Sequence, residues 1–281
     1  GVTSMMGSLL GRGTTNISKD DFNERIEYLG ANVSISSRGG FASSLNRYFD
    51  EILDLMADGV KNPLFSQEEF DKEVKITLDN LKSEEKNVTS TARRVEDVLT
   101  YGKNHPYGEF TSKESVERIT LDDVKNEYAT YFKPNNAYLV IIGDFKPRKM
   151  KKKIKKIFGD WKAGDIPTYK LPKVKNITTT EINFVDMPNA VQSEIAIINT
   201  IDLTLGNDDY FAALLANQIL GGGATARLFM NLREDKGYTY GSYSRISQNR
   251  YIGRFGASAS VRNMVTDSSV VEMVKEINTI R

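Results

Sequence analysis

The sequence predicts an α+β protein of two domains, each an antiparallel sheet with helices packed on one face. Three observations predict it. Helical and strand-like periodicities both occur along the chain, with strand-like stretches adjacent to one another. Residues 165–180 are rich in Lys, Pro and Thr and have the composition of a linker. A second set of helices and strands follows that linker. The expected division is therefore a first domain over residues 1–164, a linker over 165–180 and a second domain over 181–281.

The first helix is carried by Val2, Met5, Met6, Leu9 and Leu10 at helical spacing. Ser18-Lys19-Asp20-Asp21 is an N-cap with an acidic first turn, Phe22, Ile26 and Leu29 form the buried stripe, and Gly30 stops the helix. Residues 31–45 alternate through Val33, Ile35 and Phe41 around Gly39-Gly40, which predicts two strands joined by a glycine turn. Helices follow over 49–60, 66–86, 92–101 and 120–132. The second of these places Phe70, Val74, Thr77, Leu78 and Leu81 on one side. Residues 137–143 are almost continuously apolar and predict a strand buried on both faces. The helix over 147–158 carries a lysine run. Met150, Ile154 and Ile157 interrupt it at core spacing, so the run reads as a solvated face. Beyond the linker, strands are expected at 181–185 and 193–200, a helix at 208–220, a glycine hinge at 221–223 and a helix at 224–235. Paired strands at 238–247 and 251–260 and a final helix over 270–280 complete the chain.

Composition removes several functions. With 38 basic and 37 acidic side chains, no global field favours nucleic acid or an acidic membrane. No apolar run is long enough to span a bilayer. The absence of cysteine excludes disulfides, thiolate metal sites and cysteine nucleophiles. The single histidine, His105, precedes a proline in a turn-rich segment, where a packing role is expected. One imidazole does not furnish the two or three of a usual catalytic zinc site. The triple glycine lacks both the Gly-Lys-Ser/Thr ending and the spacing of a phosphate loop. The chain starts at Gly1 directly in a helical pattern and stops in one, which reads as a piece of something longer or a processed product.

The segment from Leu232 to Tyr240 is the most informative stretch. It reads as a helix end, a glycine stop at Gly237 and the start of a strand, so Arg233 and Tyr240 flank one tight turn. A guanidinium and a phenol OH there could converge on one carbonyl oxygen, as a hydrolase requires where negative charge develops. The same two residue types also suit an ordinary helix end and strand start.

Further segments, in order, are Gly11-Arg12-Gly13-Thr14-Thr15-Asn16, Leu29-Gly30-Ala31, residues 53–63, and His105-Pro106-Tyr107-Gly108. Tyr131-Phe132-Lys133-Pro134-Asn135-Asn136-Ala137, Gly143-Asp144, residues 220–223 and Arg227-Leu228-Phe229 follow, and 232–240 closes the series. With this ordered set the chain resembles the pitrilysin/insulinase family of inverzincin metallopeptidases, including mitochondrial processing peptidases and bacterial paired-subunit relatives. The resemblance implies two like domains of LuxS/metallohydrolase-like fold, both truncated at the chain ends.

Active members carry H-x-x-E-H on the helix before the Gly-Thr pair, where two His bind zinc and the Glu activates a water. Aligned on Gly13-Thr14, those places hold Ser4, Gly7 and Ser8. The resemblance implies that the family's third ligand, a glutamate, would fall on the 66–86 helix, where Asp79 is the nearest plausible carboxylate but the position is not assigned. The resemblance implies no metal bound by this chain and zinc in a partner HxxEH subunit or domain. Arg233 and Tyr240 match the pair that reaches a facing zinc site, binds the substrate backbone and stabilises the oxyanion. The implied protein is the non-zinc half of a peptide-degrading or processing metallopeptidase, inactive alone and paired as a heterodimer or within one polypeptide. Peptide is the substrate, and a bacterial periplasm or cell envelope is the expected location, with cytoplasm as the alternative. The rival from another class is a proteolytically inactive structural or assembly subunit of the same fold.

Overall fold

A computed structural model describes residues 1–248 and 251–280. The fold is a mixture of helices and small antiparallel sheets, in two compact units. The first comprises residues 1–81 and 111–169, the second residues 82–110 and 170–281.

In the first unit, α1 (Val2–Leu9) buries Met5, Met6 and Leu9. The hairpin of β1 (Asn32–Ser36) and β2 (Gly39–Ser43) pairs antiparallel, with Ser36 opposite Gly39 at the turn. Before it, α2 (Lys19–Tyr28) is capped by the Ser18 hydroxyl, which accepts the Asp21 N–H at 3.1 Å. After it, α3 (Phe49–Lys61) buries Ile52, Leu53, Leu55 and Val60. Gly59 lets α3 close onto the hairpin, because a Cβ there would lie 2.4 Å from the Ile35 side chain. The helices α4 (Gln67–Glu84) and α6 (Lys113–Glu117) precede α7 (Leu121–Tyr131). A capping box between Thr120 and Asp123 starts α7. Phe70 of α4, Val124 of α7, Val60 and Ile35 share one core with the α1 methionines. Each such fully buried side chain contributes about 1.5–3 kcal/mol. The amphipathic α8 (Pro147–Phe158) packs on α3, with Pro147 in its first turn.

The Gly13-Thr14 pair has a structural task in this unit. The Thr14 hydroxyl donates to Asp58 at 2.6 Å and accepts the N–H groups of Asn16 and Ile17. Asn16 and Asn62 amides donate to the other oxygen of Asp58. Burial alone would raise the Asp58 pKa, but these bonds and the charge of Lys61 outweigh it, and the carboxyl stays below its ordinary value.

In the second unit, β3 (Gln192–Ile201), β5 (Gly253–Arg262) and β4 (Thr239–Gln248) form an antiparallel sheet in the order β3-β5-β4. The α9 helix (Tyr210–Gly221) lies on β4, the short α10 spans Arg227–Phe229, and α11 (Thr266–Thr279) buries Met273 beside Leu228, Leu232 and Val261. The unit also contains α5 (Val88–Tyr101), which packs on β3. Charged groups hold it there. Arg254 of β5 donates to Glu96 at 2.5 Å and to Asp97 at 3.0 Å, and Thr89 donates to Glu194 at 3.0 Å. Sequence patterning assigned residues 82–110 to the first domain. Their ties to β3 and β5 lie more than a hundred residues away along the chain and leave no local trace.

Other elements also differ from the sequence expectation. Residues 137–143 are not a strand, and Tyr138 is fully exposed at 100% and Ile142 at 92%. An apolar strand buried on both faces needs paired neighbours, and among the described residues none flanks this segment. Residues 181–185 are likewise unpaired and exposed. The 224–235 helix is broken into α10 and a π-helical turn at Met230–Asp235. The triple glycine begins at the last residue of α9, and that residue is closely packed. Gly221 is buried where α9 meets β4, and a Cβ there would lie 2.2 Å from the Ser244 backbone nitrogen.

Candidate functional site

Arg233 sits on the π-helical turn at Met230–Asp235, and Tyr240 follows at the start of β4. The wide turn is visible in its bonding: the Lys236 N–H reaches the Asn231 carbonyl at 3.0 Å. Gly237 then takes φ +61°, the left-handed conformation that ends a helix, and its N–H bonds the Arg233 carbonyl at 3.1 Å. The Tyr238 N–H returns to the Leu232 carbonyl at 2.8 Å. Leu232 is wholly buried, so the turn is anchored from below.

Tyr240 lies in a β-bulge. Thr239 pairs with Val261 and Ser242 with Ala259, so one extra residue is accommodated between them. A bulge re-aims a side chain and is a common device beside functional sites. Here Thr239 clips the bulge. Its hydroxyl is 2.6 Å from the Ser260 carbonyl and 3.0 Å from the Gly241 carbonyl, and it accepts the Gly241 N–H at 3.1 Å. Gly241 is required by close approach, since a Cβ would fall 2.6 Å from the Tyr243 ring. The Tyr240 side chain stands out, 84% exposed, and its phenol OH has no partner among the described residues.

The guanidinium of Arg233 is held on several sides. One nitrogen donates to the Tyr240 carbonyl at 2.5 Å, another is 3.3 Å from the Glu234 carboxylate, and the Phe229 ring lies 5.1 Å beneath the guanidinium carbon. The side chain is nonetheless 44% exposed. The turn thus brings the two residues together through the backbone of Tyr240. Sequence spacing suggested a common target for guanidinium and phenol. It could not reveal the bulge, which depends on pairing with β5, or that the Arg233 guanidinium is held by the Tyr240 carbonyl.

The positions aligned with H-x-x-E-H lie on α1. Ser4 is exposed, Ser8 is half-buried, and the Ser8 carbonyl accepts the Arg12 Nε–H at 3.1 Å. Gly7 packs on the hairpin, where a Cβ would be 3.0 Å from the Ser37 nitrogen. Two neutral hydroxyls and a glycine, which has no side chain, do not fit a zinc ion or a general base. Asp79 is exposed on α4. Among the described residues no group of three or more His, Cys, Asp or Glu side chains is arranged to hold a metal. No described helix is long and apolar enough to cross a membrane.

His105 is packed rather than presented. It is 3% exposed, its Nδ1 accepts the Tyr107 N–H at 3.0 Å, and it stacks on Tyr101 with ring centres 5.6 Å apart.

Comparison with known proteins gives a consistent placement. Residues 118–281 match the family described as Peptidase M16 inactive domain, and residues 1–104 match Insulinase (Peptidase family M16). A protein named non-peptidase homolog YmxG of Helicobacter pylori (strain ATCC 700392 / 26695) is 23% identical over 99% of this chain and 64% of its own length. An uncharacterized zinc protease YmxG of Bacillus subtilis (strain 168) is 22% identical over 87% of this chain and 59% of its own. The chain therefore spans about three-fifths of the length of these relatives. Among solved structures, a peptidase M16 inactive domain from Pseudomonas fluorescens superposes with a TM-score of 0.86 at 22% identity, covering 99% of this chain and 69% of that one. The periplasmic protease PqqL from Escherichia coli gives 0.71 at 16% identity, covering 100% of this chain and 33% of that one. The chain belongs to peptidase family M16, and its larger matched part, residues 118–281, corresponds to the family's inactive domain.

Proposed function

We propose that this protein is the non-zinc half of a two-part peptidase. In this reading Arg233 and Tyr240 bind the substrate backbone and stabilise the oxyanion at a zinc centre held by a partner HxxEH subunit or domain. The observation that carries the reading is the clipped bulge. It exposes the side chain of Tyr240, the residue whose carbonyl, with a carboxylate and a ring, orients the Arg233 guanidinium. A guanidinium oriented before reaction is the kind of donor that electrostatic stabilisation of a developing oxyanion requires. The degenerate α1 positions support assigning the metal and the water-activating base to the partner. The similarity to a protein described as a periplasmic protease supports a bacterial envelope location.

In the reconstituted pair, Arg233→Ala or Tyr240→Phe should leave folding intact and lower peptide turnover by about a hundredfold or more. Unchanged turnover in both variants would remove catalysis from the proposal. The second reading is a proteolytically inactive assembly subunit. It is favoured by the bond from Arg233 to the Tyr240 carbonyl, which gives the guanidinium a bracing task of its own. That subunit would show no peptide-dependent gain when mixed with a zinc-bearing member of the family.

A further inference from the structure

We propose that the exposed face of α8 is an electrostatic docking surface for an anionic phospholipid bilayer. Between Lys146 and Lys156 the chain places eight basic residues and no acidic one. Without them its formal net charge would fall from +1 to −7, so the charge balance of the whole molecule conceals a concentrated local field.

The helix sorts these charges onto one side. Arg148, Lys149, Lys151, Lys152, Lys155 and Lys156 are all exposed, while Met150, Ile154, Ile157 and Phe158 are partly buried. At 3.6 residues per turn the exposed six cover roughly 160° of the circumference along about 12 Å of axis. Of the eight basic residues, only Lys153, at the edge of this arc, has an ion pair among the described residues, with Asp50.

This arrangement is unfavourable for the helix itself. Arg148 and Lys149 occupy the first turn, which has no acidic residue, against the positive end of the helix dipole. Arg148 and Lys152, Lys151 and Lys155, and Lys152 and Lys156 are like-charged pairs one turn apart. A merely solvated face needs neither feature and is usually mixed in sign.

The chemistry favours mobile lipid headgroups over nucleic acid. Seven of the eight are lysines, point charges without the rigid fork that suits fixed phosphates. The exposed arc carries no aromatic ring on which a base could stack. Because the apolar side of α8 faces its own unit, attachment is electrostatic and peripheral.

The test is co-sedimentation with vesicles of equal parts phosphatidylglycerol and phosphatidylcholine, and with vesicles of phosphatidylcholine alone. The protein should bind the anionic vesicles at low salt, release them at about 0.5 M salt, and ignore the neutral ones. The triple variant Lys149→Gln/Lys152→Gln/Lys156→Gln should bind about a hundredfold more weakly. Its thermal midpoint should be unchanged or higher, since it relieves repulsion within the helix. Absence of anionic-vesicle binding, equal binding to neutral vesicles, or full binding by the triple variant would each overturn the proposal. Retention of a duplex DNA fragment without vesicle binding would replace it with a nucleic-acid surface.

Discussion

Replacing Thr239 with valine tests whether the bulge at Tyr240 is held by a specific clip or by the general shape of the sheet. Valine keeps the branched volume and the strand preference of threonine, so packing barely changes. What it removes is a hydroxyl that is 2.6 Å from the Ser260 carbonyl and accepts the Gly241 N–H at 3.1 Å. Losing one net hydrogen bond costs about 1 kcal/mol, and leaving buried partners unsatisfied raises this to about 1–3 kcal/mol. For a domain of this size each kcal/mol lowers the thermal midpoint by about 2–4 °C. Thr239→Val should therefore unfold roughly 2–12 °C earlier by circular dichroism. Thr239→Ser, which retains the hydroxyl, should stay much closer to the parent. In the reconstituted pair, Thr239→Val should also reduce turnover, because Tyr240 would lose its fixed bulge. A valine variant as stable as the parent, or a serine variant as damaged as the valine one, would refute the clip.

Gly221→Ala should cost about 1–3 kcal/mol or more, because its Cβ would lie 2.2 Å from the Ser244 backbone nitrogen. Gly206→Ala, with nothing within 4 Å, serves as the control in the same urea titration, and equal midpoints would contradict the close packing of α9 on β4. Asp58, held below its ordinary value in the fold, binds fewer protons there than in the unfolded chain. Its stabilisation is therefore complete above the unfolded pKa of about 3.9 and is lost as pH falls through the lower folded value. Asp58→Asn should flatten that acid limb of the stability profile, whereas superimposable profiles would discard the linkage.

Much of the first unit was legible in the sequence because its signals are local. Ser18 and Thr120 cap their helices through backbone groups three residues away, and Gly30 takes the positive φ that stops a helix. Apolar stripes such as Phe70, Val74 and Leu78 have only to be counted at helical spacing, and these do reach the core. Residues 137–143 and 181–185 show where this logic ends. Their composition is strand-like, yet a strand is completed by hydrogen bonds to a neighbour that the segment does not encode, and both lie unpaired and exposed.

The candidate site divides in the same way. Residue types and spacing marked Arg233 and Tyr240 as candidates, and the family resemblance, aligned on Gly13-Thr14, marked Ser4, Gly7 and Ser8 as the degenerate positions. Only the tertiary structure decided that Tyr240 sits in a bulge, that its carbonyl holds the Arg233 guanidinium, and that α5 is fastened to β5 through Arg254. The physical reason is range: caps and periodicities act within one or two turns of backbone. Strand register and ion pairs join residues whose separation along the chain carries no information about their separation in space.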